Sequence, residues 1–137
     1  IEYKTQDFVA EVAKITDGQG VNLILDMISG DYLPRNLKCL AQDGRHVTIA
    51  VLGGAKVQFN MAVVMSRRYT LTGSTLRPRS PEFKRLLAQE ILCNVWPLVE
   101  SGELRPVMDM CFRLDQASEA HRRMEAGHHV GKIVLEI

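Results

Sequence analysis

The stretch Arg45 to Gly54, Arg-His-Val-Thr-Ile-Ala-Val-Leu-Gly-Gly, constrains this chain more than any other. Val47, Ile49, Ala50, Val51 and Leu52 form a short apolar run with no period of two, and it stops at Gly53-Gly54. Such a run predicts a strand buried on both faces, the situation in a parallel sheet covered by helices. Ligands of open parallel sheets bind in the crevice beyond the carboxyl ends of the strands, and Gly53 and Gly54 fall at such an end. A glycine there either serves a turn that needs positive φ or lets backbone amides approach a ligand with no Cβ between them. The stretch alone leaves both readings open.

Around this strand the hydrophobic pattern alternates. Ile1 to Tyr3 read as the tail of an earlier strand. Thr5 or Asp7 caps a helix whose Phe8, Val9, Val12 and Ile15 share one face, and the glycines at 18 and 20 close it. Val21 to Ile28 read as a strand. Leu33, Leu37 and Leu40 mark a second helix that ends at Gln42-Asp43-Gly44 and feeds the strand described first. This β-α-β-α-β order with short connections predicts parallel strands and right-handed crossovers.

Asn60 then caps a short helix through Met61, Val64 and Met65, and Tyr69 to Ser74 form a further strand. Ser80-Pro81-Glu82 opens the longest helix, with Phe83, Leu87, Ile91, Val95 and Leu98 as its buried stripe and Pro97 weakening its last turn. Val107 to Leu114 read as a strand. Asp115 caps a helix that turns Ala117, Ala120 and Met124 inward, and Lys132 to Ile137 form the last strand. The spacing of elements changes near Pro78, so the expected organisation is one segment over 1–78 and another over 79–137.

Charge and cysteine content narrow the function classes. A formal net charge of +1 over 137 residues offers no nucleic-acid or membrane surface. No apolar run approaches the roughly 18 residues of a membrane span, and no secretory signal is present. Cys39, Cys93 and Cys111 are far apart and form no CxxC pair, so they read as reduced thiols of a cytoplasmic protein, two of them in the core. His128-His129 do not suggest a metal site, because adjacent side chains point apart and no Cys or carboxylate stands at ligand spacing. Asp26, at the end of an apolar strand, reads as a holder of loop amides. No Ser-His-Asp or Cys-His constellation is present, and no catalytic residue is assigned.

Three strand ends carry small or polar residues: Ile28-Ser29-Gly30, Ala50-Val51-Leu52-Gly53 and Gly73-Ser74-Thr75-Leu76. Parallel strands present these ends on one edge of the sheet, where a long flat ligand can touch all three through backbone groups. A dinucleotide has that shape. No G-x-G-x-x-G occurs anywhere, so the residues alone describe half of a nucleotide-binding α/β domain.

The ordered series Ile-x-Tyr-Lys-x-x-x-Phe (1–8), Gly-Val-Asn-Leu-Ile-Leu-Asp-Met-Ile (20–28), Asn-Leu-x-Cys-Leu-Ala-x-Asp-Gly-Arg (36–45) and Leu-Thr-Gly-Ser-Thr-Leu-Arg (71–77) resembles the zinc-free, zeta-crystallin-like quinone oxidoreductases of the medium-chain dehydrogenase/reductase superfamily. Glu-Ala-His (119–121), Met-Glu-Ala (124–126) and Val-Gly-Lys-Ile-Val-Leu (130–135) extend the resemblance over essentially the whole chain. It implies an α/β fold comprising the later strands of a Rossmann domain, a doubly wound parallel sheet. The segment after Pro78 would return to an amino-terminal catalytic domain. That domain, the first two Rossmann strands and the glycine-rich phosphate loop are expected to be missing from these 137 residues.

The resemblance also implies roles. Tyr3 would lie near the adenosine phosphate end of an NADP(H) cofactor and Gly30 near the adenosine ribose. Ala50, Val51, Leu52 and Gly53 would form the loop at the nicotinamide ribose. The backbone of Ser74, Thr75 and Leu76 would hold the carboxamide, and Lys132 would approach the phosphates. The activity implied is NADPH-dependent, zinc-independent reduction of quinones or related α,β-unsaturated carbonyls. The alternative is a non-enzymatic nucleotide-binding module or a structural or RNA-binding relative. A homodimer through the edge of strand 69–74 is expected, with no nucleic-acid or membrane partner.

Overall fold

Local signals start the elements where the sequence places them. Asp7 accepts from the Val9 N–H and opens α1, Phe8–Ile15. Asn60 accepts from the Ala62 N–H and opens α3, Met61–Arg67. Between them lie β1 (Val21–Asp26), α2 (Tyr32–Cys39) and β2 (Leu40–Thr48), and β3 (Thr70–Gly73) follows. In this computed structural model, which describes residues 1–137, the chain divides into two compact units, Ile1–Arg79 and Ser80–Ile137.

The first unit is an α/β layer. Its three strands run parallel in the order β1-β2-β3. The register aligns Ile24 with His46 and Leu71, and Asp26 with Thr48 and Gly73. Side chains alternate across a strand, so Ile24, Asp26, His46 and Leu71 share one face. Asn36 of α2 reaches His46 on that face, and α2 and α3 together wall a single cleft. Leu37, Cys39 and Leu40 are buried on this side.

The other face is bare: Leu23 and Leu25 are 59% and 62% exposed. The expectation of a strand buried on both faces is therefore corrected. The strand also ends at Thr48, where β3 stops pairing with it, and Ile49, Val51 and Leu52 are exposed loop residues.

Other boundaries shift for visible reasons. Ile1 to Tyr3 are not a strand tail: they have no strand neighbour, and the Thr5 and Gln6 amides fold back onto the Glu2 carbonyl. The second helix ends at Cys39, not at Gln42 to Gly44. Leu40 already pairs with Val21, and the Tyr69 hydroxyl donates to the Leu37 and Leu40 carbonyls at 3.0 and 2.9 Å. Ile15, on the face expected to be apolar in α1, is exposed, as are Met61 and Met65 of α3.

The second unit holds α4 (Pro81–Asn94), α5 (Trp96–Glu100), β4 (Met108–Arg113), a 3-10 turn (Leu114–Gln116), α6 (Ala117–Glu125) and β5 (Lys132–Glu136). Ser80 caps α4 by accepting from the Phe83 N–H, and Pro81 occupies its first turn. The helix breaks at Val95, just before Pro97. β4 and β5 pair in parallel, and α6 packs over them through the buried Ala120.

Here the expected stripe of α4 is not buried. Phe83, Leu87, Ile91, Val95 and Leu98 are all more than a third exposed, because α4 packs chiefly on α5 and so small a unit has little left to cover it. Met124 is exposed, and Gln116 rather than Asp115 takes the cap position of α6. Of the three cysteines only Cys39 is buried; Cys93 and Cys111 are exposed, which corrects the second core thiol. No helix is long and apolar enough to cross a membrane.

Candidate functional site

The carboxyl ends of β1, β2 and β3 are stitched together. The Ile49 N–H donates to the Asp26 carbonyl at 2.8 Å, and the Ser74 N–H donates to the Thr48 carbonyl at 3.0 Å. The loops that follow β1 and β2 bind each other. Leu52 donates to the Met27 carbonyl, Gly53 to the Ile28 carbonyl at 2.7 Å, and Gly30 to the Gly54 carbonyl at 3.1 Å. Gly30, the Ala50–Gly53 loop and Ser74 are thus gathered on one edge by backbone hydrogen bonds.

Two glycines make the loop pair possible. Gly30 has φ +53°, and a Cβ on it would lie 2.2 Å from the Gly53 carbonyl oxygen. A Cβ on Gly53 would lie 3.0 Å from Ile28 Cγ2 and 3.1 Å from the Ile28 carbonyl oxygen. Both glycines first serve close approach of backbone to backbone.

Because the loops bond each other, the amides of Leu52, Gly53 and Gly30 are already spent. The N–H groups of Ala50, Val51, Thr75 and Leu76 make no intramolecular hydrogen bond and remain free to meet a ligand. Ser74 and Thr75 line an open cleft of about 380 Å3 with Gly73, Pro78 and Arg79. Tyr3, 63% exposed, lines another with Met27 and Ile28, beside the free edge of β1. Lys132 belongs to the second unit. It is exposed at the start of β5, and its N–H donates to the Val107 carbonyl at 2.8 Å. Just before it, Asp109 accepts from the Val130 N–H and forms a two-point ion pair with Arg123. The Arg123 guanidinium holds the Asp109 carboxyl below the ordinary carboxylate range.

Beneath the stitched loops lies a buried polar cluster. Asp26 Oδ1 accepts from the Ile28 and Ser29 amides at 2.8 and 3.0 Å, as its place at a strand end predicts. Its Oδ2 lies 3.1 Å from His46 Nε2, which in turn lies 3.4 Å from Asn36 Nδ2. His46 is 1% exposed, the most enclosed large side chain of the chain. The sequence reading passed over His46 and Asn36. The available signal was a lone histidine inside an apolar strand, one pairing step from an aspartate that ends the strand before it. Nowhere do three or more His, Cys, Asp or Glu side chains gather as ligands for a metal.

The sequence profile of the zinc-binding dehydrogenases matches residues 1–135. The chain is 30% identical over 138 residues to a phenolphthiocerol/phthiocerol polyketide synthase of Mycobacterium tuberculosis, covering 98% of this chain and 6% of that protein. The chain thus spans only a small part of the relatives it matches. Among solved structures, an NAD-dependent alcohol dehydrogenase superposes with TM-score 0.73 at 27% identity, covering 98% of this chain and 36% of the other. The JamJ enoyl reductase in its apo form superposes with TM-score 0.71 at 27% identity, covering 97% and 40%. The parallel α/β layer is therefore the Rossmann-like arrangement of medium-chain dehydrogenases and reductases, and it implies a nicotinamide cofactor.

Proposed function

The chain belongs to the zinc-binding dehydrogenase family, and on that premise we propose that it is the cofactor-holding part of an oxidoreductase that delivers hydride from NADPH to a quinone or another α,β-unsaturated carbonyl. The observation that carries this reading is the set of unspent amides at 50, 51, 75 and 76 on one edge of a parallel sheet, above loops locked together at Gly30 and Gly53. Likeness to an enoyl reductase supports the unsaturated carbonyl, since enoyl groups and quinones both offer an electron-poor carbon conjugated to C=O.

In this reading, Tyr3 and Gly30 flank the adenosine end. Ala50, Val51, Leu52 and Gly53 border the nicotinamide ribose. The Thr75 and Leu76 amides, with Ser74, hold the carboxamide and so fix which face of the ring is presented. The bound nicotinamide supplies the hydride, and the protein supplies position. No zinc enters this reading.

The test is NADPH oxidation by the intact gene product, with 1,4-benzoquinone and a simple enone as acceptors and NADH in parallel. NADPH-dependent turnover of either acceptor is expected. Nucleotide binding without turnover of either would instead favour a non-enzymatic nucleotide-binding module.

Assembly forms part of the same proposal. β3 is the outer strand of its sheet, and Thr70, Thr72 and Gly73 on it are exposed. An edge with no charge or proline is a template for pairing, and a two-fold axis beside it would join two sheets. Ser74 donates inward to Thr48, so by the period of two the Thr70 and Thr72 amides also face β2, and proline there would break the sheet itself. Lysines at Thr70 and Thr72 burden only the edge. Light scattering is expected to give a dimer for the wild type and a monomer for the double variant. A monomeric wild type, or a dimer indifferent to both lysines, contradicts the proposal.

A further inference from the structure

We infer that the opposite, amino-terminal edge of the same sheet carries a second binding site, for a small organic anion with an apolar body. Gly20 immediately precedes β1, Leu40 opens β2, and Tyr69 immediately precedes β3. These three residues help enclose a cleft of about 420 Å3 between α2 and α3, within the size range of small-molecule sites, about 300–1,000 Å3. Its apolar wall is Leu37, Leu40, Phe59 and Val63.

Two cations, Lys38 and Arg67, stand at this wall, and no Asp or Glu lines it. Neither cation makes an ion pair or a hydrogen bond, although basic residues close to both do. Arg35 is held by Asp7 at 2.9 Å, and Arg68 by both oxygens of Asp43 at 2.7 Å. Lys38 and Arg67 sit in the last turns of α2 and α3, where a positive charge suits the helix dipole. That placement does not account for the hollow between them. Near the end of α2, the Leu37 carbonyl already has a donor in the Tyr69 hydroxyl.

Lys38 feels the Asp7 carboxylate, which Arg35 already holds, but forms no ion pair with it; two like charges without an ion-pair partner around an apolar hollow favour an anion over water. The backbone offers little more, since the Gly20 and Gln19 amides are taken by the Thr16 hydroxyl and carbonyl. Recognition therefore falls to the two cations for a carboxylate or sulfonate head, and to the apolar wall for a ring or alkyl body. This inference does not rest on the reading of the carboxyl edge.

The test is a titration of the full chain with naphthalene-2-sulfonate, followed by amide chemical shifts, with uncharged naphthalene-2-methanol as the control. Saturable shifts at Gly20 and Val63 are expected with the sulfonate, and binding of the uncharged control is expected to be at least severalfold weaker. Lys38→Glu and Arg67→Glu should each weaken sulfonate binding roughly tenfold, the scale of one charge-assisted hydrogen bond, and should leave shifts elsewhere in the spectrum unchanged. Both side chains are exposed, so the fold should tolerate these changes; Lys38→Met and Arg67→Met remove charge without reversing it and check the same loss. Equal binding of the uncharged probe, indifference to all four substitutions, or shifts that never saturate at Gly20 and Val63 would overturn the proposal.

Discussion

The loops after β1 and β2 differ from the loop after β3, although all three end at one edge of one sheet. The first two exchange backbone hydrogen bonds, interlock through Gly30 and Gly53, and rest on the buried Asp26, His46 and Asn36. The third is joined to the sheet by the Ser74 N–H, which donates to the Thr48 carbonyl, and closes its own turn through Arg79 to Leu76; it exchanges no such backbone ladder with its neighbours. A nucleotide lying across them would meet a wall of interlocked backbone on one side and a separate turn on the other. Preformed backbone reduces the entropy that binding must remove. In the proposed reading, the stitched pair would therefore suit the invariant part of a cofactor.

The largest expected effect comes from removing the support of the stitched pair. Asp26→Ala leaves the half-buried Ile28 amide, the buried Ser29 amide and His46 without their acceptor. A loss of roughly 3 to 5 kcal/mol in urea unfolding is expected, the scale for leaving several enclosed polar groups without a hydrogen-bond partner. A loss under about 1 kcal/mol, the ordinary effect of a surface change, would remove the distinction between the two regions.

A smaller effect is expected at Gly53. A valine there must push Ile28 aside, because even a Cβ would lie 3.0 Å from its side chain. In the intact gene product the cofactor dissociation constant should rise roughly tenfold, equivalent to about 1.4 kcal/mol, as isothermal calorimetry would record. Unchanged affinity in a folded protein would leave Gly53 as a packing glycine of the loop pair with no bearing on the cofactor.

The contrast between the two regions also marks what the sequence could disclose. Caps and breakers are local chemistry, so Asp7, Asn60 and Ser80-Pro81 announced their helices and Pro97 the break near it. The parallel order followed from alternating strands and helices with short links. Burial did not follow so directly, because it depends on which layers are present. The runs at 47–52 and along α4 are apolar enough for a two-sided cover, yet this chain covers only one face of its sheet and packs α4 chiefly on α5.

At the site, the strand-end positions were legible from small residues at three carboxyl ends. Asp26 was read correctly as a holder of loop amides. The interlock of Gly30 with Gly53 was not legible, since it is a contact between loops more than twenty residues apart in sequence. His46 was missed for a related reason: its meaning comes from the register that sets it beside Asp26 and under Asn36.

Hydrogen exchange on the intact gene product, with and without NADPH and resolved to single amides, tests the central claim most directly. The account predicts that NADPH slows exchange at Ala50, Val51, Thr75 and Leu76, whose N–H groups have no partner within the chain. It also predicts little change at Leu52 and Gly53, whose amides are already bonded to Met27 and Ile28. NADPH that binds while leaving exchange at all four free amides unchanged would contradict it.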